Sequence, residues 1–514
     1  MTQKLVRVLL CATALTVPIV TSANEVANPG FETTPDLSWT FGADASILGS
    51  HAQTGTYAAY SNCVGAGCLG TNASGVTGTA TFYQDLTLAP GIYQLSYSVR
   101  VDSTSSTYAV ASSLGTNVTT LSTNFGAAAN VYQEVVDYSA VDGGITRLAF
   151  AMRHDPSAMH IDDIELIMVD DGQGNNIAAV TQANAFQNTY GFLDRLQNRF
   201  GHAGSPVKVA LNSPVTVADN SGGYISPNGK YRAYMGGYGD RSKWDSGDVQ
   251  SRRWGLTAGA EMAVSDGLDL GFAVAAGHSR FSSDTLFTDN RGIADEYSGA
   301  LYGHFSPSSV PIYVTAAAGY GYSSNDLSRT STMALGTVVA RNVEATQWFG
   351  SVELGYDWAL SNTFILTPYA RADGARLDQD GYTETVLSGG LIVPMTVLPV
   401  DQDAARTILG ARGTFDLNVG RRGAKLTANA GWAHEFETDR AVGFTTTSSS
   451  LGSGTPVTFA GVATGATPDA NSVVAGANVE APISNEARIF VGYNGNFASG
   501  QDSHAGEVGL RVVW

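Results

Sequence analysis

The chain has 514 residues, enough for about three domains of average size. Charged residues make up only 14% of it, against about 25% in a typical globular chain, and Gly occurs 59 times. The formal net charge of −18 argues against nucleic acid as a partner, because the phosphate backbone would repel the chain.

The first 23 residues have the pattern of a secretory signal peptide. Lys4 and Arg7 form a positive start, residues 8–20 are mostly apolar, and small residues lead to a cleavage site after Ala23. No run of about 18 apolar residues follows, so the sequence offers no transmembrane helix. A mature chain that spans a membrane must therefore do so as a closed barrel.

Two cysteines remain after the signal peptide, Cys63 and Cys68. In an exported protein, an even pair this close is most simply a disulfide that closes a small loop. A metal site is the weaker alternative, because no second Cys/His pair stands at a ligand spacing.

Residues 24–171 show short alternating segments separated by turn residues, and no segment has a helical period. This pattern predicts a two-sheet antiparallel β-sandwich of about 140 residues. We expect Phe31 and Trp39 to belong to its core. The better strand candidates are Ala80–Leu86, Tyr93–Val101, Tyr108–Ser112, Arg147–Met152 and Ile161–Ile167.

Several segments of this module resemble exported jelly-roll modules of the galactose-binding-like, carbohydrate-binding kind. The resemblance implies the fold more securely than the ligand, since such modules bind sugars, adhere or only pack. We expect glycan binding or adhesion. The matching segments include Asn28-Pro29-Gly30-Phe31-Glu32, Thr54-Gly55-Thr56-Tyr57, Pro90-Gly91-Ile92-Tyr93 and Ile161-Asp162-Asp163-Ile164.

The same resemblance implies a structural Ca²⁺ shared by the first and last strands. Glu32 with Asp162 or Asp163 would supply the oxygen ligands that this ion prefers. Asp163 is otherwise a solvated carboxylate at a strand end. No Ser or Cys stands in a recognisable nucleophile elbow, so the sequence predicts no catalytic residues and no enzyme. We expect no other cofactor.

The period changes to a helical one within a linker of residues 172–230. Residues 178–200 predict a helix of roughly 35 Å, close to the thickness of a bilayer. Its many polar residues forbid contact with lipid, so we interpret it as a helix that lies in a polar pore. Arg195 and Arg199 would then meet lumen carboxylates such as Glu353, Asp357 or Glu435. A plain amphipathic connector is the alternative.

Residues 231–514 show about twelve strand candidates, and several alternate apolar and polar residues in the dyad pattern of transmembrane barrels. Charged residues on the polar faces are best explained as lining a wet lumen: Glu353, Asp357, Arg371, Arg412, Glu435 and Arg511. The candidates are 231–240, 253–264, 268–280, 295–305, 311–322, 346–359, 363–374, 406–418, 424–436, 471–482, 487–497 and 505–514.

Short turns alternate with longer loops along this region. The longer loops are predicted at residues 241–252, 281–294, 323–345, 385–405 and 437–470. Bacterial outer-membrane barrels have short periplasmic turns and longer extracellular loops. The first strand would therefore run outward, and an exposed N-terminal module would connect to it only through the barrel.

The chain stops on an apolar strand that ends at Trp514. A soluble strand with one wet face has a similar pattern, but a terminal aromatic suits a membrane–water interface. The strand resembles the closing strand of bacterial outer-membrane barrels, which implies that Trp514 is an insertion signal for the barrel-insertion machinery.

The order of signal peptide, exported module, pore helix and C-terminal barrel resembles autotransporters, the type V secretion proteins. Thr189-Tyr190-Gly191-Phe192-Leu193-Asp194-Arg195-Leu196 is similar to the family's segment before the barrel. The resemblance implies an all-β protein: a jelly-roll sandwich, a short helical linker and a transmembrane β-barrel of about twelve antiparallel strands. Its expected location is the outer membrane, among its lipids, with the sandwich displayed at the cell surface.

The resemblance leaves the task of the displayed module open. We expect adhesion or binding to a surface glycan or a ligand on a host or neighbouring cell. The alternatives are a surface-displayed hydrolase and an outer-membrane pore whose soluble module stays in the periplasm.

Overall fold

The computed structural model describes residues 23–170, 176–200 and 231–513. Within these ranges it leaves out residues 34, 36, 73–74, 105–106, 123–127, 142, 156, 266, 286, 308, 334, 390–391, 418–422, 449–456 and 485. The signal-peptide prediction for residues 1–22 and the insertion-signal prediction for Trp514 lie outside the described residues.

The N-terminal module is a sandwich of two five-stranded antiparallel sheets. Its strands are β1 (Thr40–Phe41), β2 (Ser46–Leu48), β3 (Ala58–Ser61), β4 (Thr71–Asn72), β5 (Gly75–Val76), β6 (Thr81–Leu88), β7 (Gly91–Val101), β8 (Thr107–Leu114), β9 (Asn117–Ser122), β10 (Tyr132–Val141), β11 (Gly144–Asp155) and β12 (Met159–Asp170). Sheet A has the order β1-β6-β11-β8-β9 and sheet B the order β10-β7-β12-β3-β2. All five predicted strands are confirmed.

The space between the sheets is filled by an aromatic cluster. The ring of Phe82 lies 5.8 Å from Phe31, 5.3 Å from Trp39 and 5.1 Å from Phe150, measured between centroids. Such offset and edge-to-face contacts add to the free energy that ring burial supplies. This core cluster draws only on residues of the sandwich, so we expect the module to fold by itself.

Cys63 and Cys68 form the predicted disulfide. The bridge holds a 3₁₀ turn at Ala66–Leu69 in the excursion between β3 and β6. That excursion covers the outer side of sheet A, where Val76 packs on Ala111, Ala149 and Ala151. The outer side of sheet A is therefore partly closed.

Helix α1 spans Asn176–Phe200, about 38 Å at the standard rise per residue. It agrees with the predicted helix within two residues at its start. No helix among the described residues has both the length and the apolar character that a membrane span requires.

Twelve long antiparallel strands form the C-terminal barrel: β13 (Tyr231–Trp244), β14 (Val249–Ser265), β15 (Leu268–Asp284), β16 (Thr288–Phe305), β17 (Ile312–Ser331), β18 (Thr337–Tyr356), β20 (Phe364–Gln379), β24 (Val400–Leu417), β25 (Ala424–Glu435), β28 (Asn471–Pro482), β29 (Ala487–Phe497) and β30 (Gln501–Val513). Six shorter strands and a 3₁₀ turn (Ser246–Asp248) complete the region: β19 (Trp358–Ser361), β21 (Tyr382–Thr383), β22 (Thr385–Ser388), β23 (Met395–Val397), β26 (Ala441–Ser448) and β27 (Val457–Thr464). Pairing of β13 with β30 and of β18 with β20 closes the ring.

The outer surface of the barrel is apolar. On β18, Trp348, Val352 and Leu354 are 67%, 53% and 51% exposed, whereas Ser351 and Glu353 between them are buried. Leu301 on β16 is 72% exposed. Soluble proteins rarely expose such a large apolar belt, whereas the hydrocarbon core of a bilayer favours it. The strand pattern is therefore that of a transmembrane barrel with apolar residues outside.

The predicted loops at residues 241–252, 281–294 and 323–345 are largely wrong. The strand ladder continues to Ser331 on β17 and restarts at Thr337 on β18, so only a tight turn connects them. Polar residues there suggested a loop, but the ladder is made by backbone groups and does not require apolar side chains. The barrel wall therefore extends beyond the apolar belt, and we call this extension the rim.

We predict that replacing both cysteines by serine in residues 24–170 lowers the free energy of unfolding of the sandwich by about 2 kcal/mol, because the unfolded chain gains loop entropy. Urea unfolding measures the difference. Reducing agent should reproduce it in the wild-type module and have no effect on the double variant; equal stability of the two proteins would contradict the prediction.

Candidate functional site

Helix α1 packs against the inner wall of the barrel. Phe192, Leu193 and Leu196 are fully buried, and the ring of Phe192 lies 5.8 Å from that of Phe349 on β18. The wall is lined there mostly by small side chains, so the helix backbone approaches it closely. The alanines of this lining are Ala273, Ala300, Ala317, Ala345, Ala375 and Ala404.

The outer half of the helix is held by one amide side chain. Asn184 Nδ2 donates to Glu296 Oε1 at 2.8 Å and to Ser279 Oγ at 2.9 Å. Its Oδ1 accepts from Ser251 Oγ at 2.8 Å and from Arg253 Nη2 at 3.0 Å. Arg253 also pairs with Glu296 at 2.7 Å. Both ends of the amide are satisfied by three strands, which fixes the depth and rotation of the helix.

The inner half of helix α1 is held by ion pairs. Asp194, the single acidic residue of the helix, lies 2.8 Å from Arg371 Nη1 and 2.8 Å from Arg406 Nη2. Asp373 accepts from the Nε atoms of the same two arginines, at 2.7 and 2.8 Å. Two carboxylates and two guanidinium groups thus balance one another, which buried charges require.

Further hydrogen bonds join the helix to opposite sides of the ring. They link Gln187 Nε2 with Ser503 Oγ (3.2 Å), Tyr190 OH with Glu435 Oε1 (3.0 Å) and Gln197 Nε2 with Ser351 Oγ (3.0 Å). Because β30, β25 and β18 all contribute, the helix occupies the lumen and is not a connector beside it.

The rim closes around the first turn of the helix. Ala178 and Ala179 are fully buried in an apolar cluster with the sheet β21-β23-β26-β27, formed by the two longest connections of the barrel. This cluster contains Met395, Val397, Val442, Phe444 and Ala463. These side chains form an apolar collar around the start of the helix.

The structure places the six predicted lumen charges as follows. Arg371 and Glu435 contact helix α1 directly. Glu353 accepts from Tyr313 OH at 2.6 Å and from Arg412 at 3.1 Å. The other two pair within the wall: Arg511 with Glu480 at 3.1 Å, and Asp357 with the Thr367 hydroxyl at 2.7 Å.

The predicted partners of the helix arginines are wrong for Arg195. Its guanidinium stacks over the ring of Tyr238 at 3.7 Å, while Glu353 and Asp357 pair with groups of the wall. Arg195 contacts β13, and the third predicted partner, Glu435, accepts from Tyr190 instead. The polarity of the contact is reversed: the helix supplies the carboxylate and the barrel the arginines. The side chain of Arg199 lies outside the described residues.

Sequence reasoning missed Asn184 and Asp194 as anchors, together with Arg253, Glu296 and Arg406 of the wall. One signal was available. A lone acidic residue on a helix assigned to a pore calls for basic residues in the lumen, and Arg406 stands at an inward position of its strand.

In the sandwich, the three predicted calcium ligands bind the loop of residues 53–57. Asp162 Oδ2 accepts from the amides of Gln53 (2.7 Å) and Thr54 (3.2 Å). Glu32 Oε1 accepts from Thr56 and Tyr57, at 2.7 and 2.9 Å, and Asp163 Oδ1 from the Thr54 hydroxyl at 2.5 Å. Within the described residues, no three His, Cys, Asp or Glu side chains gather closely enough to hold a metal ion.

In this arrangement the three carboxylates accept hydrogen bonds from backbone amides and from a threonine hydroxyl. Calcium binding at these residues stays a prediction. Burial raises the pKa of the Asp162 carboxyl from its ordinary value of 3.8 to about 6.

A row of polar and aromatic side chains crosses sheet B beside this loop. Strand register places Tyr60 opposite His160, His160 opposite Arg100 and Arg100 opposite Tyr132. Asp102 Oδ1 lies 3.3 Å from His160 Nε2 and 3.4 Å from Arg100 Nη2. His160 is fully buried, and its Nδ1 has no hydrogen-bond partner among the described residues. We call Tyr60, Arg100, Tyr132 and His160 the cross-strand row.

We predict that Asp194→Asn loosens the helix, because two buried arginines lose a charged partner. Open events of the purified protein in planar bilayers should become at least about tenfold more frequent, equivalent to about 1.4 kcal/mol. Asp245→Asn is the control, since Asp245 pairs with Lys243 on an exposed turn. An opening frequency of Asp194→Asn equal to that of Asp245→Asn and wild type would rule out this role.

We also predict a pH dependence of the sandwich in a metal-free buffer. The pKa of Asp162 is higher in the folded state, so its contribution is complete below pH 3.8 and is lost as pH rises through about 6. The free energy of unfolding of wild type, minus that of Asp162→Asn, should fall between pH 4 and pH 7 by about 2 kcal/mol. A flat or rising difference contradicts the prediction.

Comparison with known proteins places the barrel in a family. The autotransporter beta-domain family model matches residues 233–494, just over half of the chain. The Escherichia coli (strain K12) protein described as putative uncharacterized protein YaiT is 27% identical over 177 residues, 33% of this chain and 16% of that protein. The chain thus spans less than a fifth of that relative's length.

Two solved structures are similar to different parts of the chain. The translocator domain of autotransporter NalP from Neisseria meningitidis has a TM-score of 0.46 and 15% identity, covering 66% of this chain and 100% of that one. TmCBM61, solved in complex with β-1,4-galactotriose, has a TM-score of 0.22 and 18% identity, covering 29% of this chain and 99% of that one.

The family match runs from β13 to β29, and it confirms the autotransporter resemblance found in the sequence. Barrels of this family reside in the outer membrane, are inserted by the barrel-assembly machinery and carry a surface-displayed passenger. The barrel itself is not a catalyst. The chain belongs to the autotransporter β-domain family, as an outer-membrane barrel whose N-terminal sandwich is the passenger it displays at the cell surface.

Proposed function

We propose that the displayed sandwich is an adhesion module that binds a glycan on the outer face of sheet B. The observation that carries the proposal is the cross-strand row, which places two partly exposed tyrosines and a partly exposed arginine around the buried His160, on four strands. Sugars offer apolar C–H faces and a ring of hydroxyl groups, so aromatic rings next to charged donors suit them.

The face beyond the row continues with hydrogen-bonding side chains. Ser98 and Glu134 stand opposite each other on β7 and β10, and Ser96 stands opposite Glu165 on β12. Glu134 and Glu165 are exposed to solvent. A glycan lying along β7 would meet acceptors as well as donors, whereas the excursion that carries the disulfide partly closes sheet A.

The contacts of the two buried histidines do not favour a hydrolase role. Both ring nitrogens of His154 bind backbone groups: Nδ1 accepts from the Ser157 amide and Nε2 lies 2.7 Å from the Ser103 carbonyl. His160 pairs with Asp102, but no Ser or Cys side chain among the described residues hydrogen-bonds its ring. A base without a nucleophile gives no covalent catalysis.

A glycan array probed with labelled residues 24–170 tests the proposal. The strongest ligand should bind at least about tenfold more weakly to Arg100→Ala and to Tyr132→Ala, because buried donors and stacked rings carry most of the free energy of binding. Arg147→Ala is the matched control, since Arg147 is an exposed arginine on sheet A that pairs with Asp85.

Two results contradict this assignment. One is an array without specific ligands. The other is a ligand whose affinity changes with Arg147→Ala and not with the variants of the cross-strand row. Breakdown of a bound glycan during the titration would favour the hydrolase.

A further inference from the structure

A second buried charge network lies where the sandwich meets the rim of the barrel. Arg329, near the outer end of β17, is fully buried. Its guanidinium pairs with Glu384 at 2.7 Å, donates to the Val393 carbonyl at 2.7 Å and lies 3.5 Å from Asp170. Asp170 is the last residue of β12 and is itself buried. A carboxylate of the sandwich thus shares an arginine with a carboxylate of the rim.

Apolar side chains from both modules surround this network. Ile92 and Val169 of the sandwich are buried in one cluster with Leu335, Val338, Ile392 and Val393 of the rim, and Tyr138 and Ile167 of the sandwich pack against it. Separation of the modules would expose all of these side chains to water. An apolar contact area with an ion pair at its centre is typical of a specific interface between two protein surfaces.

We propose that this interface, here called the rim dock, holds the sandwich on the barrel independently of the covalent connection through residues 171–175. The passenger then stays cell-bound even when that connection is cut. Its orientation is also fixed. Ile92 in the rim dock and Arg100 in the cross-strand row are eight residues apart on β7, about 26 Å along the strand. The end of sheet B that carries the row therefore points away from the membrane.

The rim dock does not depend on glycan binding, and its test does not use a ligand. A recognition sequence for a site-specific protease is inserted between Asp170 and Asn176, and the full-length protein is expressed at the cell surface. After complete cleavage and washing, the sandwich that stays on the cells is measured over time. The wild-type sandwich should be retained.

Asp170→Asn and Arg329→Gln should each release the cleaved sandwich at least tenfold faster. The double variant should be no worse than the more severe single one, since both substitutions break the same pair. Arg291→Gln is the matched control, because Arg291 is an exposed arginine on the neighbouring strand β16. Heat-modifiable migration checks that each barrel is folded, and Asp170→Asn leaves the pair of Arg329 with Glu384 in place.

The proposal is overturned if the cleaved wild-type sandwich leaves the cells as fast as the variants do. It is also overturned if all variants retain it equally, because the retention would then come from a different surface.

Discussion

The carboxylate of Asp194 between Arg371 and Arg406 is the contact on which the arrangement of this protein depends. Removing one partner from a buried charge network costs more than the network contributes as a whole, so the helix and the wall require each other. Asp194 lies 2.8 Å from each of the two arginines, and Asp373 of the wall pairs with the same two arginines. It makes a polar helix stable inside a barrel whose other surface is apolar.

From Asp194 toward the outer end of the barrel, three further contacts follow one another. Asn184 sets the helix against three strands, the alanine pair at its start is enclosed by the collar, and Asp170 then meets the rim. Two charged networks, one in the lumen and one at the rim, bracket the apolar collar. The network in the lumen holds helix α1. The network at the rim orients the passenger, so that the cross-strand row lies at the end of sheet B that is far from the barrel.

Much of this architecture is readable from the sequence because the membrane imposes a strict pattern. Val352 and Leu354 alternate with Ser351 and Glu353 since lipid and lumen demand opposite chemistry, and this alternation predicts the strands of the barrel. The rim was not predictable from it: beyond the bilayer lipid no longer imposes the alternation, and the buried side chains of Asn325 and Arg329 continue the ladder without an apolar signal. The pairing of Asp194 with Arg406 depends on the stagger of the strands and the rotation of the helix, which residue types do not encode locally.

The same limit applies to the sandwich. Its fold follows from alternating strands and recognisable segments, but the hydrogen bonds that the Gln53 and Thr54 amides donate to Asp162 join residues more than a hundred positions apart. Sequence alone identified the carboxylates and attributed them to a metal. The structure adds the hydrogen bonds that these oxygens accept from the loop of residues 53–57, which composition and spacing do not reveal.

Proximity cross-linking tests most directly whether helix α1 occupies the lumen of the barrel. Cysteines replace Gln187 and Ser503, whose side chains meet at 3.2 Å, in a protein with serines at positions 63 and 68 and a protease site within residues 201–230. A short thiol cross-linker applied to native outer membranes should keep the two fragments joined after cleavage and denaturation. Asp502, the next residue on β30, faces the outside and provides the control pair with Gln187. Efficient joining through position 503 and not 502 is the predicted result; no joining, or equal joining at both positions, would contradict a helix inside the pore.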